Sequence, residues 1–119
     1  KPLLIPVPLS AGRLRERGYN QAAELARPLA EILDWDYSET AMWRPRETLR
    51  QSELDFAGRL TNLPGAFAAS PAELQGRRVF VLDDIASSGA SLNAAVEAVE
   101  LCGALSVTAV AIASGRVVL

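Results

Sequence analysis

The chain alternates short apolar runs with longer stretches in which apolar residues recur at helical spacing. That alternation predicts strands and helices in turn. The first run, LLIPVPL from Leu3 to Leu9, is strand-like, but Pro6 and Pro8 cannot donate to a ladder, so a strand is expected over Leu3 to Val7 with a stiff turn behind it. Beyond the polar, arginine-rich SAGRLRERGYNQ, the residues Ala22, Leu25, Ala26, Leu29 and Leu33 share one helix face, and Asn20 is placed to be its N-cap. Pro28 falls inside that helix, where it should free the Glu24 carbonyl and kink the axis.

After Trp35 a short strand is expected around Ala41 to Arg44. RPRETLRQSELDFAGRLTNLPGAF then shows no clean apolar face and reads as an exposed excursion, with a helix from about Ser52 to Leu60. AASPAELQGRR is a turn-rich connector. Val79 to Leu82 is a continuous apolar strand of the kind a parallel sheet buries on both faces. The next helix carries Leu92, Ala95, Val96 and Val99 on its apolar face and ends at Gly103, and a last strand spans Leu105 to Ala113. Strand, helix, strand, repeated, predicts an α/β fold: a single-domain, three-layer sandwich with a mainly parallel sheet.

Composition narrows the chemistry without changing that picture. At 119 residues, half of them apolar and 22% charged, the chain has the size and balance of one globular domain. A net charge of -2 gives no broad basic face, so tight direct binding of nucleic acid is not expected. No apolar stretch is long enough for a membrane span and no signal peptide is visible, so a cytoplasmic location is expected. The chain opens at Lys1 rather than Met, directly before a strand, which leaves room for a module ahead of it. The lone Cys102 sits in an apolar pattern and reads as a small buried hydrophobe. There is no histidine, which removes Ser/His and Cys/His nucleophile systems and the usual zinc ligand sets.

The candidate chemistry lies in VFVLDDIASSGASL, Val79 to Leu92. Adjacent carboxylates repel and bury badly, so Asp83 and Asp84 at a strand's carboxyl end suggest use by a ligand. The loop behind them, Ala86 to Ser91, leads into a helix, so its amides and the helix dipole would converge on an anion. Ser87, Ser88 and Ser91 add hydroxyl donors, and Gly89 lets backbone approach a phosphate. Amides for a phosphate and carboxylates for vicinal hydroxyls or a metal ion suit ribose 5-phosphate. A Walker loop would need Gly-Lys-Ser/Thr and a dinucleotide fingerprint three spaced glycines, and neither is present.

This stretch resembles the PRPP-binding signature of type I phosphoribosyltransferases: a hydrophobic strand, two acids, two small residues, a hydroxyl pair, Gly, a small residue and Ser/Thr. IPVPL, RERGYNQAAELA and the spaced Arg46, Thr48, Gln51, Leu54, Arg59 and Asn62 are similar to the ComF-like branch and its gluconate-cluster relatives, from Ile5 to about Ala113. Ser87 and Ser88 stand where threonines are commoner, and the Cys-rich, zinc-ribbon-like N-terminal segment typical of that branch is lacking.

The resemblance implies that Ala86, Ser87, Ser88, Gly89, Ala90 and Ser91 hold the 5-phosphate and that Asp83 and Asp84 engage the ribose hydroxyls, as catalytic carboxylates and as contacts for Mg²⁺ arriving with PRPP. Pyrophosphate would meet the segment after the first strand, including Leu9 and Ser10, with Arg17, Asn20 and Gln21 nearby; Gln51, Arg59 and Asn62 would be contacts from a hood over the site, though helix-surface chemistry explains them equally well. Arg13 and Arg15 could meet the pyrophosphate but are equally well explained as a solvated loop; Tyr19 could stack on a base, although an aromatic beside an amphipathic helix is more often packing. The implied reaction displaces pyrophosphate from PRPP through an oxocarbenium-like transition state, needing no covalent nucleophile. A non-catalytic PRPP or nucleotide sensor, and a DNA-uptake accessory working through a protein partner, are the alternatives; a homodimer stays open.

Overall fold

The computed structural model describes residues 1–9, 14–16, 18–45, 67–84, 89–113 and 116–118. In chain order the elements are β1 (Leu3–Pro6), α1 (Gln21–Leu33), β2 (Asp36–Tyr37), β3 (Met42–Trp43), β4 (Ala68–Ala69), α2 (Pro71–Leu74), β5 (Arg78–Asp84), α3 (Gly89–Leu101), β6 (Ser106–Ala113) and β7 (Arg116–Val118). Five of the strands form one sheet in the order β2-β1-β5-β6-β7. Four run parallel, and β7 closes the edge antiparallel to β6. β3 and β4 make a separate antiparallel ribbon.

Alternation along the strands divides the core between two faces. Leu3, Ile5 and Val7 of the β1 segment and Val79 and Val81 of β5 join Ala94, Ala95, Ala98 and Val99 of α3, together with Ala41, Met42, Phe67 and Leu74 from the ribbon and α2. Leu4 and Leu82 point the other way and join Ala22, Ala26 and Ala30 of α1, with Val110 and Ile112 of β6. Helix, sheet, and helix with ribbon are the three layers, and the α/β fold expected from the sequence is the one observed.

Helix α1 begins where its cap predicts. Asn20 is extended (φ -97°, ψ 109°), and its Oδ1 accepts from the N–H groups of Ala22 at 2.9 Å and Ala23 at 3.3 Å. The helix ends on Asp34 in the left-handed region (φ 60°), whose N–H donates to the carbonyls of Ala30 and Glu31. Its buried stripe is Ala22, Ala23, Ala26 and Ala30, while Leu33 is 42% exposed. The leucine-centred face expected from the sequence is therefore rotated: alanines let the helix backbone lie close to Leu4 and Leu82, and Leu25 and Leu29 cover the flanks. In α3 the stripe likewise shifts to Ala94, Ala95, Ala98 and Val99, with Leu92 and Val96 half-buried. Pro28 lies inside α1 on its exposed side.

Several readings of the strands and connectors change. β1 ends at Pro6 rather than Val7, and it accommodates Pro6 because strand alternation sends the missing N–H away from β5: Val7 N–H bonds the Leu82 carbonyl, whereas the Pro2 and Leu4 carbonyls accept from Asp36 and Ser38. On that side β2 has already ended at Tyr37, so the proline costs no ladder bond. The connector after Phe67 contains β4 and α2, the latter with Pro71 at its first turn and Leu74 fully buried. β5 continues through Asp83 and Asp84. Neither β2 nor β7 is anticipated from the sequence; β7 pairs Val118 with Ala111 and Arg116 with Ala113. Gly103 (φ +84°) ends α3 as expected, and its carbonyl accepts from Gly76 N–H at 2.9 Å, tying the entries of β5 and β6 together. Cys102 is half-buried against the core, and burial pushes its thiol above the ordinary range.

Candidate functional site

The strand order reverses between β1 and β5: β1 leads through α1 to β2 on one side, and β5 leads through α3 to β6 on the other. In open α/β sheets such a switch point leaves a crevice beyond the carboxyl ends of the two strands. Pro6 pairs with Leu82, so β1 stops while β5 runs two residues further, to Asp84, beside β6. Asp83 and Asp84 are thus at the lip of the crevice.

They do not point the same way. Asp83 continues the alternation of Val79 and Val81 toward the α3 face, and Asp84 that of Phe80 and Leu82 toward the α1 face. Asp83 is 7% exposed, the one buried charged residue among the described residues. A buried carboxylate needs hydrogen bonds, and Oδ1 accepts from the Asp84 N–H at 2.7 Å. Asp84 is half-buried. Their opposite orientations reduce the repulsion expected of adjacent acids, and they also mean that the two carboxylates do not form one chelating claw.

α3 starts at Gly89, so Gly89, Ala90 and Ser91 belong to its first turn rather than to the preceding loop. Because α3 returns against the strands, its N-terminus lies at the same edge as the acid pair, where unpaired amides and the helix dipole favour an anion. Ala86, Ser87 and Ser88 lie outside the described residues, as do Ser10, Arg13, Arg17, Gln51, Arg59 and Asn62, and the helix expected over 52–60. Leu9 is half-buried, two residues past Val7. Gln21 is the half-buried first residue of α1. Arg15 and Tyr19 are exposed.

Two side chains grip the backbone as it leaves β1. Asn20 Nδ2 donates to the Val7 carbonyl at 3.2 Å while its Oδ1 caps α1. Arg44 Nε–H donates to the Pro8 carbonyl at 3.0 Å, with its guanidinium 4.5 Å from the centroid of the Phe67 ring. Arg44 received no role from the sequence. Its partner lies 36 residues away and is a carbonyl, which carries no side-chain signal.

The other polar clusters brace the edge at β2. Arg27 bonds Glu39, whose Oε2 also accepts from the Tyr37 hydroxyl at 2.7 Å. The Arg27 guanidinium, then the Tyr37 hydroxyl, hold the Glu39 carboxyl below the usual range, while burial and then Glu39 push the Tyr37 hydroxyl upward. Glu73 accepts from Ser38 and Thr40, and Arg77 bonds Asp36 and the Lys1 carbonyl. No helix among the described residues is long and apolar enough to cross a membrane.

Compared with known proteins, residues 16–117 match the phosphoribosyl transferase domain. Competence protein F of Haemophilus influenzae is 39% identical over 92 residues, covering 76% of this chain and 40% of that protein. DNA utilization protein YhgH is 34% identical in Shigella flexneri and 33% in Escherichia coli K12, over 89 residues, 75% of this chain and 39% of each relative. The chain spans about two fifths of the length of these curated relatives. No solved structure matches it.

Proposed function

The chain belongs to the phosphoribosyl transferase domain family, on its ComF-like branch, and from that premise we propose that it binds PRPP and transfers the phosphoribosyl group to an acceptor with release of pyrophosphate. The observation that carries this reading is the convergence, at the β1/β5 switch point, of a carboxylate pair and the N-terminus of α3. The 5-phosphate would lie against Ala86 to Ser91, using backbone amides and the serine hydroxyls, and the ribose would lie across the strand end toward Asp83 and Asp84.

Mg²⁺ would enter as part of the substrate, on the pyrophosphate of PRPP. Among the described residues no group of three or more His, Cys, Asp or Glu could hold a metal ion, and the diverging aspartates offer at most one carboxylate to each side. Such a set suits a hydrated Mg²⁺ bound mainly by phosphate oxygens. At the anomeric carbon the bond to pyrophosphate breaks as the bond to the acceptor forms. Negative charge from Asp83 and Asp84 stabilises the cationic ribose in between, while donors beyond β1 take up charge on the leaving pyrophosphate.

Calorimetry with Mg-PRPP tests binding, and pyrophosphate release across a panel of nucleobases tests transfer. Absence of heat and of a thermal shift at millimolar PRPP would refute the reading. A second reading, an accessory that binds PRPP or a nucleotide without turnover and serves DNA uptake through a protein partner, is favoured by the names of the relatives, competence protein F and DNA utilization protein. PRPP binding without pyrophosphate release for any base would support it.

A further inference from the structure

The backbone leaving β1 is held from three directions. Val7 N–H donates to the Leu82 carbonyl of β5 at 2.9 Å, the Val7 carbonyl accepts from Asn20 at the head of α1, and the Pro8 carbonyl accepts from Arg44 at the end of β3. Pro6 and Pro8 themselves restrict φ on either side of Val7. Both side-chain bonds are partly buried, so Asn20 and Arg44 satisfy carbonyls that would otherwise be poorly hydrated. The same bonds fix the direction in which the chain leaves Pro8, just past the point where Pro6 pairs with Leu82 and β5 runs on to the acid pair.

Resting on the PRPP reading above, we infer that Arg44 is a positioning residue for the pyrophosphate side of the site, acting with Asn20 through the carbonyls of Val7 and Pro8. The role is specific to arginine. Nε–H lies in the guanidinium plane, so the group donates to Pro8 while its face rests on the Phe67 ring; a lysine ammonium has neither the fork nor the plane. Pyrophosphate is multiply charged and rewards donors already aimed at it, so a strand exit free to swing would lose affinity for that group first. The 5-phosphate, bound at the α3 end, would be little affected.

The test is calorimetry of the full chain with Mg-pyrophosphate and, separately, ribose 5-phosphate, for wild type, Arg44→Lys and Asn20→Ser. Serine retains a capping oxygen for α1 and is too short to reach the Val7 carbonyl, so this neutral variant separates the brace from the cap. Both variants are expected to weaken pyrophosphate binding about tenfold and ribose 5-phosphate binding less than about twofold. Unchanged pyrophosphate affinity in both would overturn the inference while leaving the PRPP reading intact. Equal losses for both ligands, accompanied by a lowered thermal midpoint, would make the contacts structural only and overturn it as well. A wild-type protein that binds neither ligand sinks the PRPP reading, and this inference with it.

Discussion

Asp83 and Asp84 are consecutive in the chain yet face opposite sides of the sheet, and the N–H of Asp84 is bonded to the carboxylate of Asp83 at 2.7 Å. The first acid thereby shapes the strand end from within, and the second is the more accessible to a ligand.

That difference separates their substitutions. Asp84→Asn is expected to weaken PRPP binding about tenfold with little effect on inorganic phosphate, since one charged hydrogen bond to the ribose is at stake. Asp83→Leu is expected to lose about 1–3 kcal/mol of folding stability as well, because it strips a partly buried N–H of its acceptor. Denaturant unfolding beside calorimetry checks both. Equal PRPP affinity in wild type and Asp84→Asn would remove that carboxylate from the ribose site.

The alanine stripe of α1 makes a sharp packing prediction. Ala26 is fully buried against the sheet, so Ala26→Leu should overpack it and cost about 1–3 kcal/mol. Leu33→Ala, at a residue 42% exposed, should change stability by less than about 0.5 kcal/mol. Urea midpoints measured side by side would expose an error in the helix's rotation if the order came out reversed.

The cap on α1 gives a third. Asn20→Ala removes both the cap and the bond to Val7, so it should destabilise by about 1–2 kcal/mol, whereas Asn20→Ser should retain most of that. Thermal unfolding of the two variants distinguishes them.

The cluster at the β2 edge should be felt at both ends of the pH scale. Glu39 is held below its ordinary value, so its contribution is present above about pH 4.3 and is lost as pH falls through the folded value. Tyr37 is held above its ordinary value, so stability declines as pH rises past about 10 and the unfolded chain ionises first. Glu39→Gln should flatten the acid limb of the stability curve, and Tyr37→Phe the alkaline one. Chemical denaturation across the pH range checks each, and a limb unchanged in its variant would assign the shift elsewhere.

Much of the architecture was legible because it rests on local chemistry. The β-branched and leucine runs at Leu3 and Val79, the asparagine before an alanine-rich helix, and Gly103 at a helix end each state a backbone preference within a few residues. The acid pair and the small residues behind it were legible for the same reason, being contiguous. The rotation of α1 was not, because periodicity counts hydrophobicity while close packing on a sheet favours small side chains. β3 was legible, but α2, β4 and the pairing of β3 with β4 were missed because their anchors, Ala41, Met42, Phe67 and Leu74, are widely spaced in the chain and meet in one core.

By itself the sequence determined the alternation of elements, the parallel sheet and the placing of an acid pair and small hydroxyl residues at one strand end, since each follows from neighbours in the chain. Tertiary structure alone decided that β5 carries both acids within the ladder and turns them apart, and that Asn20 and Arg44 close on consecutive carbonyls after β1. Those outcomes depend on which strands lie side by side and where each one stops. Contacts to backbone across 13 or 36 residues leave no pattern in the order of side chains.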